Sequence, residues 1–319
     1  MAGGDQIRLV LFIVAVAGVY GLAVWVTVGW LTRTLRRRPA PARTPTGRWT
    51  RRGVLSLAGA GIGGMAWGTF VEPYWIETTH VRISSPRLAG SSRPIRLVHI
   101  SDLHCDAQAR AEDSLVARVA ECSPDLIVFT GDCVNAPEGL ANFRRCMKAL
   151  VGIAPTFAVK GNWDRWFGIT DHFAGTGVQE LRGQWRTLDV AGAKVHVGGL
   201  AVGDDTRLEE TLAAAPRDGF RLFLYHYPDL IYRVAPSGMD LYCAGHTHGG
   251  QIALPWFGAI VTLSQFGKRF ERGLYTVQNT HLYVNRGIGM EGGPAPRMRL
   301  FAKPEVTCID LVGTTPPDE

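Results

Sequence analysis

The sequence predicts an α/β domain behind a membrane-like N-terminal region, and three observations carry that reading. Strand-like and helix-like segments alternate after Pro73. Five of the strand-like runs end in short blocks of Asp, His and Asn. Residues 9–31 form an apolar run without a charge. The alternation is that of βαβ units. Oxygen and imidazole groups at the carboxyl ends of adjacent strands converge on the crevice where open α/β sheets bind ligands. The expected division is therefore an anchor region over 1–72 and a folded domain over 73–319.

Residues 9–31 lie between Arg8 and Arg33. The run exceeds the roughly 20 residues that a helix needs to cross a bilayer and is too long for a signal-peptide core. From 32 to 52 the chain is basic and carries Pro39, Pro41 and Pro45, which predicts a flexible cytoplasmic linker. Arg33, Arg36, Arg37, Arg38, Arg43, Arg48, Arg51 and Arg52 fall in this stretch and account for the net charge of +6. No recognition motif accompanies that charge, so nucleic acid is not an expected partner. A second uncharged segment, 53–71, is rich in Gly and Ala. It follows Thr50-Arg51-Arg52-Gly53-Val54-Leu55, which resembles a twin-arginine export signal; alternatively, the arginines mark the cytoplasmic end of a second helix. Both readings place the domain outside the cytoplasm, whereas a 53–71 segment that fails to span leaves it inside.

Within the domain, β-branched alternation predicts a strand over 75–83, then strands at 95–100, 126–130 and 156–160. Amphipathic helices at 113–122 and 140–151 connect them. A strand pair turns at Ala191-Gly192 within 185–200, and a helix at 208–215 stops before Pro216. Strands follow at 222–225, 241–244, 273–277, 281–285 and 305–311. The six cysteines, at 105, 122, 133, 146, 243 and 308, show neither a C-x-x-C pair nor zinc-type spacing. Most read as small buried hydrophobes.

The blocks are Asp102-Leu103-His104, Gly131-Asp132, Gly161-Asn162-Trp163-Asp164, the isolated His226, and Gly245-His246-Thr247-His248-Gly249-Gly250-Gln251. Spacing of i, i+2 at a strand end points Asp102 and His104 to one face, and His246 and His248 likewise. Carboxylate, imidazole and amide oxygen together suit Mn, Fe or Zn and exclude a thiolate-type structural zinc site. His99, His172, His196 and His281 match no block and read as structural or surface residues.

In order and separation these blocks resemble the calcineurin-like metallophosphoesterase superfamily, over roughly residues 81–311. More narrowly, the chain resembles its bacterial membrane-anchored or exported branch, which includes phosphodiesterases and UDP-2,3-diacylglucosamine pyrophosphatases. The resemblance implies two facing mixed β-sheets flanked by helices, a four-layer sandwich. It also implies two divalent metals, one held by Asp102, His104, Asp132 and His248, the other by Asp132, Asn162, His226 and His246, with Asp132 bridging. The implied reaction is hydrolysis of a phosphodiester or pyrophosphate in a lipid-linked or envelope substrate. A UDP-2,3-diacylglucosamine pyrophosphatase, which needs a cytoplasmic site, and a non-catalytic metal-binding scaffold are the alternatives.

Two positions depart from the family pattern. Trp163 stands where a histidine usually serves the leaving group, so no general acid is assigned. His99 is the nearest substitute in sequence, and the role of Asp164 is open. His226 is flanked by Tyr225 and Tyr227, which with Trp163 either line the substrate entrance or pack together.

Overall fold

The computed structural model describes residues 45–291 and 297–314, with scattered positions between 7 and 32. Helix α1 (Pro45–Phe70) includes part of the stretch expected to be a linker. Proline within the first turn of a helix costs no hydrogen bond, so the prolines of this stretch do not by themselves make it a linker. Among the described residues no helix is long and apolar enough to cross a membrane. The expected second apolar segment lies within α1, and most of the 9–31 run falls outside the described residues.

Two six-stranded sheets form the domain. The first runs β1 (Glu77–Ser85), β14 (Glu305–Gly313), β2 (Ile95–Ile100), β3 (Leu126–Phe129), β4 (Thr156–Ala158), β5 (Gln179–Glu180). The second runs β12 (Gly273–Val277), β13 (Thr280–Val284), β9 (Leu241–Ala244), β8 (Phe220–Leu224), β7 (Ala193–Gly199), β6 (Trp185–Val190). Both are mixed: β14–β2, β12–β13 and β6–β7 pair antiparallel, and their other pairs are parallel. A small hairpin, β10 (Ala253–Leu254) with β11 (Gly258–Ala259), stands apart.

The pleat sorts side chains into layers. In β3, Leu126 and Val128 face a central core shared with Leu97, Phe157, Val195, Leu222 and Leu241 of both sheets. Ile127 and Phe129 point the other way, onto α2 (Glu112–Glu121) and α3 (Leu140–Val151) through Leu115, Val119, Phe143 and Met147. Phe223 and Tyr242 meet α4 (Leu208–Ala213) and α5 (Ile231–Val234) on the far side of the second sheet. Strands covered on both faces read as continuous apolar runs, which is why β3 and β9 carry no alternation. The layers are helix, sheet, sheet, helix, so the ligand-bearing strands are held from both sides.

Cys122, just after α2, is disulfide-bonded to Cys308 in β14, whereas Cys105, Cys133, Cys146 and Cys243 are buried thiols. The expectation that most cysteines are small buried hydrophobes holds for these four, and the disulfide escapes a local reading because its partners are 186 residues apart in sequence. Cross-linking so long a loop removes unfolded-chain entropy worth on the order of 5 kcal/mol. Reductant, or Cys122→Ser, should therefore lower Tm by several degrees while metal content stays the same. An unchanged Tm would show that the bond contributes nothing to the fold.

Candidate metal centre

The ligand-bearing residues lie just beyond the strands, in loops that remain tied to one another. Asp102 N–H donates to Gly131 O at 2.9 Å, His104 N–H to Asp132 O at 3.1 Å and Cys105 N–H to Cys133 O at 3.0 Å. The segments after β2 and β3 thus run side by side past the end of the sheet. Their side chains are not aimed by strand alternation, as the spacing had predicted. Asp102, His104, Asp132, His246 and His248 all take left-handed backbone, with φ of 51°, 42°, 61°, 71° and 51°. Such φ values cost an L-residue roughly 1–2 kcal/mol each, and strain of this kind gathers at functional sites. Glycine permits the close approach: a Cβ at Gly245 would collide with Ser101 Oγ and Asp102 Oδ2, and one at Gly161 with Asp132 Oδ1.

The two carboxylates stand among the imidazoles. Asp132 Oδ2 is 3.5 Å from His104 Nε2 and 3.3 Å from His226 Nε2. Asp102 Oδ1 is 3.3 Å from His248 Nε2 and 4.0 Å from His226 Nε2. Two groups can each hold an ion: Asp102, His104 and His248, and Asp102, Asp132 and His226. Asp102 belongs to both groups, while Asp132 lies between histidines of the two. His246 joins neither. Its ring packs 5.1 Å from that of His226, and its N–H donates to both Asp102 oxygens at 3.2 and 3.1 Å.

The donor set fits metal ions. Both ring nitrogens of His104, His226 Nε2 and Asn162 Oδ1 are buried without a hydrogen-bond partner. Buried polar atoms are seldom left unpaired, and divalent cations would satisfy one nitrogen of His104, His226 Nε2 and Asn162 Oδ1 with the ligand types expected for Mn, Fe or Zn. His226 Nδ1 bonds Thr130 O at 2.7 Å, which leaves Nε2 toward the carboxylates; this is the arrangement of a metal-binding histidine.

Burial opposes charge throughout the site. It drives His104 well below the usual histidine range and His246 to about 3, with neighbouring histidines adding to the fall. Burial also lifts Asp132 to about 6. Against the same burial, the Asp132 carboxylate raises His226 to about 10. For Asp102 burial is outweighed by His248, His226 and His104, which hold it below the usual carboxylate range. Asp132 and His226 thus stabilise opposite charges in each other, and a cation between them would take the place of the histidine's proton.

The structure gives Asp164 a role that needs no histidine. Its carboxylate accepts from Asp132 N–H at 3.0 Å, Cys133 N–H at 2.8 Å and Gly161 N–H at 2.8 Å, binding the β3 and β4 loops together. Trp163 is buried, its backbone N–H donating to Asp132 Oδ1 at 2.9 Å and its ring in an edge contact with His104 at 5.2 Å. Trp166 lies against it at 4.7 Å. The Trp163 indole N–H donates to Glu291 Oε1 at 3.3 Å, and Glu291 is itself fixed through its backbone by Gln251 at 2.8 and 3.2 Å.

His99 is not a substitute acid. It is fully buried, bonded to Thr130 Oγ1 at 2.9 Å, and burial lowers it to about 4. Tyr225 is buried with its hydroxyl on Asp205, so it offers no surface to a substrate. Tyr227 does reach the centre, packing on His246 at 4.2 Å. His172 is buried near Asp164, and His196 and His281 bond Thr187 and Thr276.

Sequence reasoning missed Glu291 and Arg299. The latter is fully buried, donating to the carbonyls of Gly289 and Ala302 at 2.8 Å and of Arg286 at 2.9 Å, with Nη2 3.4 Å from His248 Nδ1. Neither belongs to a motif, and no periodicity marks them.

The calcineurin-like phosphoesterase superfamily domain matches residues 95–253, a span that contains every proposed ligand. The chain is also 32% identical to the uncharacterized metallophosphoesterase YkuE of Bacillus subtilis (strain 168), over 82% of this chain and 96% of that protein. It belongs to the calcineurin-like phosphoesterase superfamily. It is similar as well to the phosphodiesterase YaeI of Escherichia coli (strain K12), at 30% identity over 82% of this chain and 99% of that one. Similarity to the UDP-2,3-diacylglucosamine pyrophosphatase LpxG of Chlamydia trachomatis is lower, 26% over 75% and 90%. The chain is therefore a metal-dependent phosphoesterase of a dinuclear family.

The position of Asp132 gives a direct test. Asp132→Ala should lose both metals, whereas His248→Ala and His226→Ala should each weaken mainly one. Elemental analysis of the purified variants measures this, and two ions retained in Asp132→Ala would refute the bridging assignment.

Proposed function

We propose that the protein hydrolyses a phosphodiester or pyrophosphate bond in a lipid-linked or cell-envelope substrate, at the outer face of a membrane. The observation that carries the reaction is the buried, unpartnered donor set of His104, Asn162 and His226 around two carboxylates. Bound there, two ions of the Mn, Fe or Zn type would supply an activated water and neutralise phosphoryl charge. The chain's own residues hold that arrangement: Asp164 fixes the β3 and β4 loops, Thr130 orients His226, and Trp163 covers His104.

Trp163 also shapes the choice of substrate. Its indole is no useful acid, its N–H is committed to Glu291, and His99 is locked in the core. The departing oxygen then leaves as an anion, which a phosphate leaving group tolerates and an alkoxide does not. The relatives' names, phosphodiesterase and UDP-2,3-diacylglucosamine pyrophosphatase, agree with diester and anhydride chemistry. The pyrophosphatase of the LpxG relatives is the second reading. It requires a cytoplasmic site, and the Cys122–Cys308 bond favours an oxidising compartment instead. A non-catalytic scaffold would bind both metals yet leave bis(p-nitrophenyl) phosphate intact.

Rates across substituted phenyl and alkyl diesters should fall steeply as leaving-group pKa rises. A missing acid costs up to about 10²–10⁴-fold, mostly for the poorest leaving groups. Trp163→His should flatten that slope at saturating Mn. Equal slopes in both proteins would mean that another group already donates the proton.

The disulfide supports an extracytoplasmic domain, as does the export-signal reading of Thr50-Arg51-Arg52-Gly53-Val54-Leu55, which does not need a strongly apolar helix. A phosphatase reporter fused after Val81 should be active outside the cytoplasm. Activity of a fluorescent reporter on the cytoplasmic side alone would overturn this topology and restore the UDP-2,3-diacylglucosamine pyrophosphatase reading.

A further inference from the structure

The loop that completes the metal motif leaves the domain as a hairpin whose aromatic tip nothing in the described chain covers. β10 and β11 pair Ala253 with Ala259 and Leu254 with Gly258. Between them Trp256 is fully exposed, and Leu254 and Phe257 are about half exposed. Trp256 also takes a φ of 62°, a backbone conformation that bulky residues rarely adopt. Folding alone does not explain an indole displayed on a strained turn.

Neighbouring segments extend this surface. Ile252 bridges Leu300, and Leu300 N–H donates to Gln251 O at 3.0 Å. Arg299 N–H donates to Gly68 O at 2.8 Å, so the 299–303 segment lies between the hairpin and the end of α1. Phe70, Tyr74, Trp75 and Phe301 are all exposed there. Cations accompany the rings: Lys268 Nζ is 3.6 Å from the Phe257 centroid, and Lys303 Nζ is 4.0 Å from that of Trp75. Arg272 donates to Phe301 O at 3.1 Å. The acids alongside are already engaged. Glu271 accepts from Ala259 N–H and pairs with Lys268, and buried Glu72 accepts from Trp67 and Ala302.

We propose that the β10–β11 hairpin, with the edge formed by Trp75, Phe301 and Lys303, docks on the surface of an anionic bilayer. Aromatic rings with basic groups at their faces suit the headgroup boundary, where indole sits at the interface and ammonium groups meet lipid phosphate. An exposed apolar patch of this kind marks an interaction surface. The hairpin follows the last ligand block directly: Gln251 N–H donates to His248 O at 3.0 Å and Ile260 N–H to Ile252 O at 3.2 Å. Docking there brings the metal centre to lipid-borne phosphate. The proposal deepens the reading of a membrane-held enzyme, on which it rests.

The test uses the full, metal-loaded chain reconstituted in vesicles of phosphatidylcholine and phosphatidylglycerol. An environment-sensitive fluorophore is attached in turn to Trp256→Cys, Asp218→Cys and Trp25→Cys; the native free cysteines are buried. Asp218 is exposed and precedes β8, at the end of that strand away from His226. Lipids brominated in the acyl chain should quench the label at 256 severalfold and leave the label at 218 unaffected. Adding Lys268→Glu with Lys303→Glu should reduce the quenching at 256. Metal content and hydrolysis of bis(p-nitrophenyl) phosphate should match the unlabelled protein. An unquenched label at 256 overturns the docking proposal. The label at 25, within the apolar run, then separates the two failures: quenched, the membrane-held reading stands alone; unquenched, both fall.

Discussion

Two buried carboxylates, Asp102 and Asp132, set the terms for the rest of the domain. Each comes from a loop of the first sheet, and neither is tolerable in an apolar interior without compensating charge. The second sheet supplies that compensation. His226 follows β8, and His246 and His248 follow β9, so the two sheets must face each other with their carboxyl ends together. The shared core of Leu97, Val128, Leu222 and Leu241 fixes that relation. Asp164 then binds the loops from within, accepting three backbone N–H groups that would otherwise be buried unpaired. The same constraint explains why five residues at the centre take left-handed backbone. Packing on both sides of the sheets supplies the stability that holds such strain.

Much of this was legible in the sequence, and the reasons are specific. β9 and α3 were read to the residue, and β2 likewise, because apolar runs and amphipathic spacing are local signals. The Ala191-Gly192 turn was legible because both residues take positive φ, at 52° and 82°, as a two-residue hairpin demands. The ligand blocks were legible because chemistry restricts them to Asp, His and Asn next to Gly. Their geometry was not: spacing of i, i+2 was read as strand alternation, whereas left-handed turns beyond the strand aim the side chains. Glu291, Arg299 and the Cys122–Cys308 pair were invisible because each acts on residues remote in sequence. The β10–β11 hairpin, two residues per strand, is too short to show a period.

Trp163 shows how a departure from a family pattern is accommodated. A histidine at that position would add a further imidazole beside His104 and His248, whose ring centroids are already 5.1 Å apart. An indole instead places an apolar edge on His104 and passes its one polar atom outward to Glu291. Gln251, the last residue of the final block, holds the backbone of Glu291 from the other side. The block 245–251 therefore does more than present His246 and His248. It also fixes the acid that receives the Trp163 indole, so Trp163 serves as a strut between the two halves of the site.

That coupling continues through Arg299. Its guanidinium gathers the carbonyls of Arg286, Gly289 and Ala302, stands beside His248, and its own N–H binds the end of α1 at Gly68. A Cβ at Gly68 would overlap Met298 and the Arg299 carbonyl, so α1 meets this segment at backbone distance. The end of α1, the 299–303 segment and the loop carrying His248 are thus joined by hydrogen bonds, Arg299 N–H to Gly68 O at 2.8 Å and Leu300 N–H to Gln251 O at 3.0 Å. A surface set by the end of α1 fixes the orientation of the metal centre as well, because no freely rotating segment lies between Gly68 and His248 along this route. Whatever holds α1 holds the active site in register with it.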